Sequence, residues 1–394
     1  MRFAILTNAF PPDGQGGAER SAFLQADALA CLGHEVRVLV PDKGIGSRGS
    51  SQGVAKDRGK GFERTVVHGM EVYRFPSQLY ELKNHAPISL FRLWFHLVKD
   101  AGARRDIARE IVAWKPDVLL THNLTGCGIG TGRAIQKQKV KWIHTLHDVQ
   151  LTDLKSVSWS DTAFARAWRW FWSLRRHWTF GKPDVMVSPT QWLLDWHRRS
   201  GFVGFREAVI PNAVDINPPR ERELNQPATV AYVGRLSREK GFDIFLDVIK
   251  KLDPKLVSKI VAVGGGSLMT QAERLYDKRL ILRGALSFED ARRIIGEADL
   301  LIAPSQIIEN QQTILLEAMA EGTPAIATDV GGTKETLEGT GSPIVSPDKI
   351  ADEAIKLLSN MEKWESVSHA MRKRAEERHD KEKYFEKLML AISV

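Results

Sequence analysis

Two glutamates eight residues apart, Glu309 and Glu317, flank a polar stretch and the start of a predicted helix. The apolar run at 300–303 predicts a buried parallel strand, and the helix is predicted to begin near Thr313 and end before Gly322. The free amides at the start of such a helix hold anions. The arrangement therefore suits a nucleotide diphosphate whose sugar hydroxyls are bound by carboxylates. Two solvent-exposed helix glutamates would give the same spacing.

A pair of cations follows the predicted strand at 229–233, where Arg235 and Lys240 flank a turn. The guanidinium fork and the lysine point charge can together neutralise a diphosphate leaving group. A solvated basic turn is the alternative interpretation. The glycines after the next predicted strand, which include Gly266, would let the backbone approach a ligand closely.

Glycines and histidines follow predicted strands in the first half of the chain as well. Gly16 and Gly17 come after the first strand and open a helix, a position that favours a phosphate or an oxyanion. His122 and His147 each end a predicted strand, and the carboxyl ends of parallel strands line the crevice of such a sheet. Beside Asp148, His147 can act as a base or as a hydrogen-bond donor to a sugar hydroxyl. Polar lining without a catalytic role is the alternative.

Strand-like runs alternate with amphipathic, helix-length stretches, which predicts an α/β fold with parallel sheets covered by helices. The 394 residues are long enough for two domains. We predict two doubly wound, Rossmann-like domains that face a central cleft, at residues 1–212 and 228–375, with a linker at 213–227. Residues 376–394 are predicted to form a helix that packs back toward the first domain.

Four stretches carry more local predictions. Residues 66–75 are predicted as a single strand, and residues 343–345 as the last strand of the second domain. Residues 43–61 are rich in glycine, serine and lysine, which predicts a surface loop. Residues 159–180 combine tryptophan and phenylalanine with arginine. Such a helix suits peripheral contact with anionic membrane headgroups, whereas packing of its aromatic rings on the adjacent sheet explains the composition equally well.

The net charge of +8 and the pI near 9.4 suit phosphorylated substrates, anionic lipid or nucleic acid. The chain has neither a zinc-finger cysteine pattern nor an RNA-binding aromatic signature, so we do not expect nucleic acid as a partner. It has two cysteines, no signal-peptide pattern and no apolar run approaching the roughly 20 residues of a membrane span, so a cytoplasmic location is expected. The absence of an Asp-x-Asp motif disfavours a metal-dependent transfer that relies on it.

Several motifs occur in a defined order along the chain. They are Gly16-Gly17-Ala18-Glu19-Arg20, His147-Asp148, Pro211-Asn212-Ala213-Val214-Asp215, Gly234-Arg235, Glu239-Lys240-Gly241, Pro304-Ser305, Glu309 to Glu317, and Asp329-Val330-Gly331-Gly332. In this order and spacing they resemble the retaining glycosyltransferases of family four, which have the GT-B fold. The chain departs from the family pattern at 310–312, where Asn-Gln-Gln replaces Gly-Phe-Gly, and at Ala213, where glycine is usual.

The resemblance implies a role for each candidate site residue. The residues implied as catalytic are Arg235, Lys240, Glu309 and His147, and those implied as substrate-binding are Gly16, Gly17, His122, Gly266, Arg283, Gln312, Thr313, Ile314 and Glu317. Arg235 and Lys240 would grip the donor diphosphate, and His147 would lie near the reacting carbon. Glu309 would bind the transferred sugar, and Glu317 the ribose.

The implied activity is transfer of a sugar, with retention of anomeric configuration, from a UDP- or GDP-sugar to a glycan or lipid-linked acceptor. Surface polysaccharide assembly is the expected setting, with no cofactor and no metal, in the cytoplasm or at the inner face of the membrane. The first domain would bind the acceptor, with His122 as a contact, and the second would bind the nucleotide sugar. Two alternatives stay open: a nucleotide-sugar epimerase with the same two-domain architecture, and a non-catalytic nucleotide-sugar binding protein.

Overall fold

The computed structural model describes residues 1–11, 16–42, 63–77, 101–124, 126–128, 130–149, 151–152, 179–218 and 222–393. The predictions for residues 43–61 and for residues 159–178 lie outside the described part of the chain. The chain forms two compact units. The first comprises Met1–Pro189, Leu193–Ile210 and Phe385–Val394, and the second comprises Thr190–Trp192 and Pro211–Tyr384. The finer domain bounds and the packing of residues 376–394 stay predictions.

The first unit is built on a sheet of eight strands in the order β3-β4-β2-β1-β5-β6-β7-β8. The strands are β1 (Arg2–Leu6), β2 (Glu35–Asp42), β3 (Glu63–Val67), β4 (Met70–Pro76), β5 (Val118–Thr121), β6 (Lys141–Thr145), β7 (Val185–Ser188) and β8 (Arg206–Val209). The helices of this part of the chain are α1 (Gly17–Cys31), α2 (Ala101–Trp114), α3 (Thr131–Gln136) and α4 (Gln191–Arg199). Every residue of β5 and β7 is buried, as in strands that are covered on both faces.

The prediction of a single strand over residues 66–75 is wrong, because the chain reverses at His68-Gly69. Strands β3 and β4 pair antiparallel on either side of this turn, and both turn residues have positive φ, 48° for His68 and 78° for Gly69. Two consecutive residues with positive φ are typical of the two-residue turns that close β-hairpins. All other pairings in this sheet are parallel. The hairpin therefore adds one antiparallel edge strand to a parallel sheet.

The second unit is built on a parallel sheet of five strands in the order β11-β10-β9-β12-β13. The strands are β9 (Ala228–Val233), β10 (Val257–Val263), β11 (Leu280–Leu282), β12 (Leu300–Ala303) and β13 (Ala325–Ala327). The helices of this part of the chain are α5 (Phe242–Lys251), α6 (Met269–Glu273), α7 (Phe288–Glu297), α8 (Thr313–Glu321), α9 (Thr333–Thr336), α10 (Ile350–Leu358), α11 (Met361–Arg378) and α12 (Lys381–Ser393), and most of α12 belongs to the first unit. Within the described ranges, no helix is long and apolar enough to span a membrane.

The prediction of a strand at 343–345 is also wrong. This stretch makes only an isolated parallel bridge, between Ala327 and Ile344. Pro343 at its start has no amide hydrogen to donate to a sheet, and Pro347 follows shortly after it. Because proline flanks the bridge on both sides, the pairing does not extend into a strand.

Helix α8 begins at Thr313 and ends at Glu321, before Gly322, whose φ of 66° is the left-handed conformation typical of a glycine cap. The predicted bounds of the helix are therefore confirmed. Helix α11 holds this end of α8. Ser368 Oγ donates to the Gly322 carbonyl at 2.6 Å, and an Arg372 guanidinium nitrogen donates to the Ala320 carbonyl at 2.5 Å. These bonds satisfy carbonyls that a helix end leaves without an intrahelical partner. The other end of α8 lies at the carboxyl edge of the sheet, after β12.

Candidate functional site

The turn after β9 fixes the position of the predicted diphosphate-binding cations. Leu236 N–H donates to the Gly265 carbonyl at 3.0 Å, which joins this turn to the glycines that follow β10. The Tyr232 hydroxyl donates to the Arg235 carbonyl at 2.7 Å. Burial, and then the charge of Glu309, raise the pKa of Tyr232, so the phenol remains a neutral donor. The backbone of the turn is thus held by its own unit before any ligand binds.

The side chains of the two cations differ in their surroundings. That of Arg235 is 65% exposed, and its guanidinium lies 3.7 Å from the Glu239 carboxylate, so it is open to a ligand. The Lys240 ammonium forms an ion pair with Glu309 Oε1, and Ser305 Oγ donates to the same oxygen at 2.9 Å. The structure thus brings together two residues, Lys240 and Glu309, that lie 69 positions apart in the chain.

Ser305 was not among the predicted site residues, although it contacts one of them. It follows β12 directly, and polar residues at the carboxyl end of a parallel strand are placed at the ligand-binding edge. That position is the signal that could have identified it. Thr328 Oγ1 donates to the Ser305 carbonyl at 2.5 Å and so ties this residue to the end of the neighbouring strand, β13.

The loop from Glu309 to α8 is held in place by Gly331 and Gly332. Gly332 N–H donates to the Glu309 carbonyl at 2.9 Å. Gly331 has a φ of 59°, and a Cβ there would overlap the same carbonyl oxygen. Glycine is therefore required at position 331 both by its backbone conformation and by this close approach. The structure gives these two glycines a supporting role for Glu309.

The three residues at 310–312, which depart from the family pattern, have different partners. Thr190 Oγ1 donates to Asn310 Oδ1 at 2.5 Å, and Asn212 N–H donates to Gln311 Oε1 at 2.7 Å. Gln312 is the N-cap of α8, and its side-chain Nε2 is buried with no hydrogen-bond partner among the described residues. The amide donor of Gln312 is therefore a candidate contact for a ligand at the start of α8.

Helix α8 places the remaining predicted residues around its first turns. Thr313 and Ile314 are half-buried at its start, where the backbone amides have no intrahelical partner. Glu317 is only 4% exposed and lies one turn further along the helix. The interpretation of Glu309 and Glu317 as two solvent-exposed helix glutamates is wrong, because Glu309 precedes the helix with a side chain only 14% exposed.

Gly266 and Arg283 lie at the same edge of this sheet. Gly266 follows β10 and Arg283 follows β11, and both are exposed. Gly264 N–H donates to the Gly284 carbonyl at 2.8 Å, which joins the two loops. Because β11, β10, β9 and β12 are neighbours in a parallel sheet, their carboxyl ends form one continuous edge.

In the first unit, Gly16 and Gly17 lie at the start of α1, as predicted. Gly16 is the N-cap and has no side chain to satisfy the first amides of the helix. Glu19 lies close enough to Gly16 that a Cβ there would meet its carboxylate, and Asn8 Nδ2 donates to the other carboxylate oxygen at 3.1 Å. The start of α1 is thus joined to the residues that follow β1.

The two predicted histidines contact each other. His122 follows β5 and His147 follows β6, and the adjacent ends of these strands bring His122 Nδ1 to 2.7 Å from His147 Nε2. His122 is 0% exposed, whereas His147 is half-buried. Burial lowers the pKa of His147 to about 4. Burial, and then the charges of the neighbouring histidines, lower the pKa of His122 well below its usual value.

Two α/β units whose parallel sheets carry polar residues at their carboxyl edges are the architecture of the GT-B glycosyltransferases. A model of the group 1 glycosyl transferases matches residues 227–360, and a model of the glycosyl transferase 4-like domain matches residues 16–213. The chain belongs to the group 1 glycosyl transferases and has the GT-B fold. The predicted family and the predicted fold are therefore confirmed.

Several known proteins are similar to the chain over most of its length. The chain is 24% identical over 357 residues to an uncharacterized 42.6 kDa protein in the cps region of Klebsiella pneumoniae, covering 85% of this chain and 87% of that protein. It is 24% identical over 350 residues to a GDP-mannose-dependent alpha-mannosyltransferase of Mycolicibacterium smegmatis, covering 86% and 82%. The structure of Anabaena HepE in complex with UDP-glucose has a TM-score of 0.71 at 17% identity, covering 100% and 99%.

Proposed function

We propose that this glycosyltransferase moves a sugar from a nucleotide-diphosphate donor to a glycan or lipid-linked acceptor with retention of anomeric configuration and without a metal. The observation that carries the proposal is the set of contacts around Lys240 and Glu309. A cation suited to a diphosphate and a carboxylate suited to sugar hydroxyls are joined beside the start of α8, which favours an anion. One ligand that contains both groups fits this set better than two separate ligands.

The chemistry assigned to the site requires little covalent participation by the protein. The bond between the anomeric carbon and the leaving phosphate oxygen breaks, and a bond from the acceptor oxygen forms on the same face of the sugar. The acceptor proton passes to the leaving phosphate oxygen. Arg235, Lys240 and the first amides of α8 stabilise the negative charge that grows on the diphosphate.

Donor binding would change the contact between Lys240 and Glu309. In the free protein Glu309 Oε1 accepts from both Lys240 and Ser305, and in the described part of the chain Oε2 makes no hydrogen bond. A diphosphate would compete with Glu309 for the Lys240 ammonium. Ser305 would then keep the carboxylate oriented toward the hydroxyls of the bound sugar.

We infer a UDP- or GDP-sugar as the donor and surface polysaccharide assembly as the setting. The donor proposal is supported by the UDP-glucose complex of HepE and by the GDP-mannose-dependent relative. The polysaccharide proposal is supported by the relative from a cps region. A cytoplasmic location, with peripheral contact at the inner face of the membrane, is the setting in which such donors are supplied. A nucleotide-sugar epimerase is the second candidate, and it would consume the donor when no acceptor is present.

A thermal-shift series with UDP-, GDP- and ADP-sugars tests donor binding. A ligand that binds only the native state at 100 times its Kd adds about 2.7 kcal/mol to the free energy of unfolding, so the Tm should rise by several degrees with one nucleotide. The matching nucleoside monophosphate is the control, because it lacks the second phosphate and should give a smaller shift. If none of the sugar nucleotides raises the Tm, the donor proposal is wrong.

Replacing Gln312 tests whether its amide faces the diphosphate. Gln312→Glu puts a negative charge at the start of α8, beside the proposed diphosphate site. The same charge should weaken donor binding tenfold or more, since about 1.4 kcal/mol of repulsion suffices for a factor of 10. Gln312→Met is the control of similar size and should lose only one neutral hydrogen bond, about 0.5–1.5 kcal/mol. Donor titration would show this difference between the two variants, and wild-type donor affinity in Gln312→Glu would mean that the amide does not face the diphosphate.

A further inference from the structure

The contact between His122 and His147 is an in-plane hydrogen bond rather than a face-to-face stack. The planes of the two rings differ by 20°, and the contacting nitrogens are 2.7 Å apart. The 5.0 Å between the ring centres exceeds this distance by about the sum of the two ring radii, the largest difference that geometry allows. His122 Nδ1 and His147 Nε2 therefore lie close to the line that joins the ring centres.

A hydrogen bond between two ring nitrogens holds one proton. The ring that carries this proton determines the tautomer of both histidines. If His122 Nδ1 donates, His147 accepts at Nε2 and carries its own proton on Nδ1. If His147 Nε2 donates, His122 accepts at Nδ1 and must carry its proton on Nε2. In the first arrangement His147 Nδ1 is an N–H donor, and in the second it is a bare acceptor nitrogen.

The surroundings of His122 distinguish the two arrangements. Its Nε2 is buried and has no hydrogen-bond partner among the residues that the structure describes. A proton there would be a buried N–H donor without an acceptor, and such donors are rarer in folded proteins than acceptors without a donor. The His122 backbone N–H donates to the Leu6 carbonyl at 2.9 Å, which holds this residue at the end of β5. The arrangement in which His122 Nδ1 donates is therefore favoured.

We propose that His122 is a positioning residue that holds His147 in the tautomer protonated on Nδ1. His147, which is half-buried, then offers a neutral N–H donor, and its Nε2 is occupied and does not serve as a base. This inference rests on the proposed function for the role of His147, and it decides between the two roles that the sequence left open for that residue. His122 is fully buried and acts through His147 rather than by touching the acceptor.

The electrostatics of the pair agree with two neutral rings. Burial lowers the pKa of both histidines, and the charge of His147 further lowers the pKa of His122. A second proton between His122 Nδ1 and His147 Nε2 would also set two donors against each other. Both rings are therefore neutral at neutral pH, and a neutral His147 protonated on Nδ1 donates from that nitrogen alone.

Nitrogen NMR of the full chain labelled with ¹⁵N-histidine measures the tautomer without any substrate. At neutral pH, we expect His147 Nδ1 and His122 Nδ1 to give signals of protonated ring nitrogens, and both Nε2 atoms signals of bare ones. Single His→Asn variants assign the signals. A protonated Nε2 in His147 would overturn the proposal, whatever the enzyme turns over.

Variants of His122 test the consequence for turnover. His122→Leu removes the donor, and kcat should fall by up to about 10²-fold, the scale of the loss when an active-site group is displaced by about 1 Å. KM for the donor should change by no more than about threefold. His122→Asn places an amide nitrogen at the position of Nδ1 and should recover most of the loss.

The matched control is His197→Asn, which removes another fully buried histidine of the first unit. His197 is bonded through Nδ1 to the Leu193 carbonyl at 2.9 Å, so its replacement should lower the Tm and leave kcat unchanged. An unchanged kcat in His122→Leu would overturn the proposal. A wild-type protein that turns over no nucleotide sugar would instead refute the proposed function, while the NMR spectrum would still decide the tautomer.

Discussion

Replacing Arg235 or Lys240 by alanine is expected to lower turnover by ~10²-fold or more, the scale of losing one preorganised charge contact in a transition state. Negative charge grows on the leaving diphosphate as its bond to the sugar breaks, and both cations follow β9 at the edge where that group would bind. The turn that carries them is held by the Tyr232 hydroxyl and by the glycines after β10. Steady-state kcat and KM, measured with the donor identified by thermal shift, are the observables.

The two variants should differ in how they affect the free protein. Arg235 is mostly exposed, so Arg235→Ala should leave the Tm near that of the wild type. Lys240→Ala removes the ion-pair partner of Glu309 and should lower the Tm as well as turnover. Lys250→Ala is the control, because Lys250 is an exposed, ion-paired lysine on α5 of the same unit. Wild-type turnover in either site variant would remove that residue from the proposed site.

Much of the fold follows from short-range patterns in the sequence. Strands such as β5, β7 and β12 are continuous apolar runs because both of their faces are covered, and such runs can be identified one at a time. The bounds of α8 follow from Gly322, which ends the helix by its left-handed backbone. The hairpin at His68-Gly69 was missed because histidine is not among the residues that usually mark such a turn.

The positions of the candidate site residues follow from one topological rule, whereas their partners do not. Residues that follow parallel strands share an edge of the sheet, and this rule by itself places Arg235, Ser305 and Glu309 at that edge. It does not say that Ser305 and Lys240 meet at one oxygen of Glu309. Such contacts depend on rotamers and on loop paths that tertiary packing selects.

The contacts hardest to predict join residues that are far apart in the chain and carry no local signal. Thr190 and Asn310 are 120 positions apart, and nothing in the sequence around either residue indicates the other as its partner. His122 and His147 were both identified as strand-end residues, yet their bond needs adjacent strands and a matching register. The burial of His122 changes its proposed task from touching the acceptor to orienting His147.

Gly241→Ala is expected to lower both stability and turnover, because position 241 lacks room for a side chain. The residue has a φ of 70°, which costs a non-glycine residue about 1–2 kcal/mol. A Cβ there would also overlap the Pro304 carbonyl oxygen, so the backbone must move at a cost of about 1–3 kcal/mol more. That movement would displace Lys240, the preceding residue, from Glu309. Chemical denaturation and turnover below the unfolding midpoint would measure the two losses.

Gly339→Ala is the control that separates backbone strain from overlap. Gly339 lies in the same unit with a φ of 77°, but a Cβ there would have no atom within 4 Å. Its replacement should therefore cost about 1–2 kcal/mol and leave turnover unchanged. The additional loss of stability in Gly241→Ala, compared with Gly339→Ala, measures the strength of the packing between the turn after β9 and the end of β12. Equal losses of stability in the two variants would mean that the turn carrying Lys240 is easily displaced. Lys240 would then be positioned by the ligand rather than by the fold.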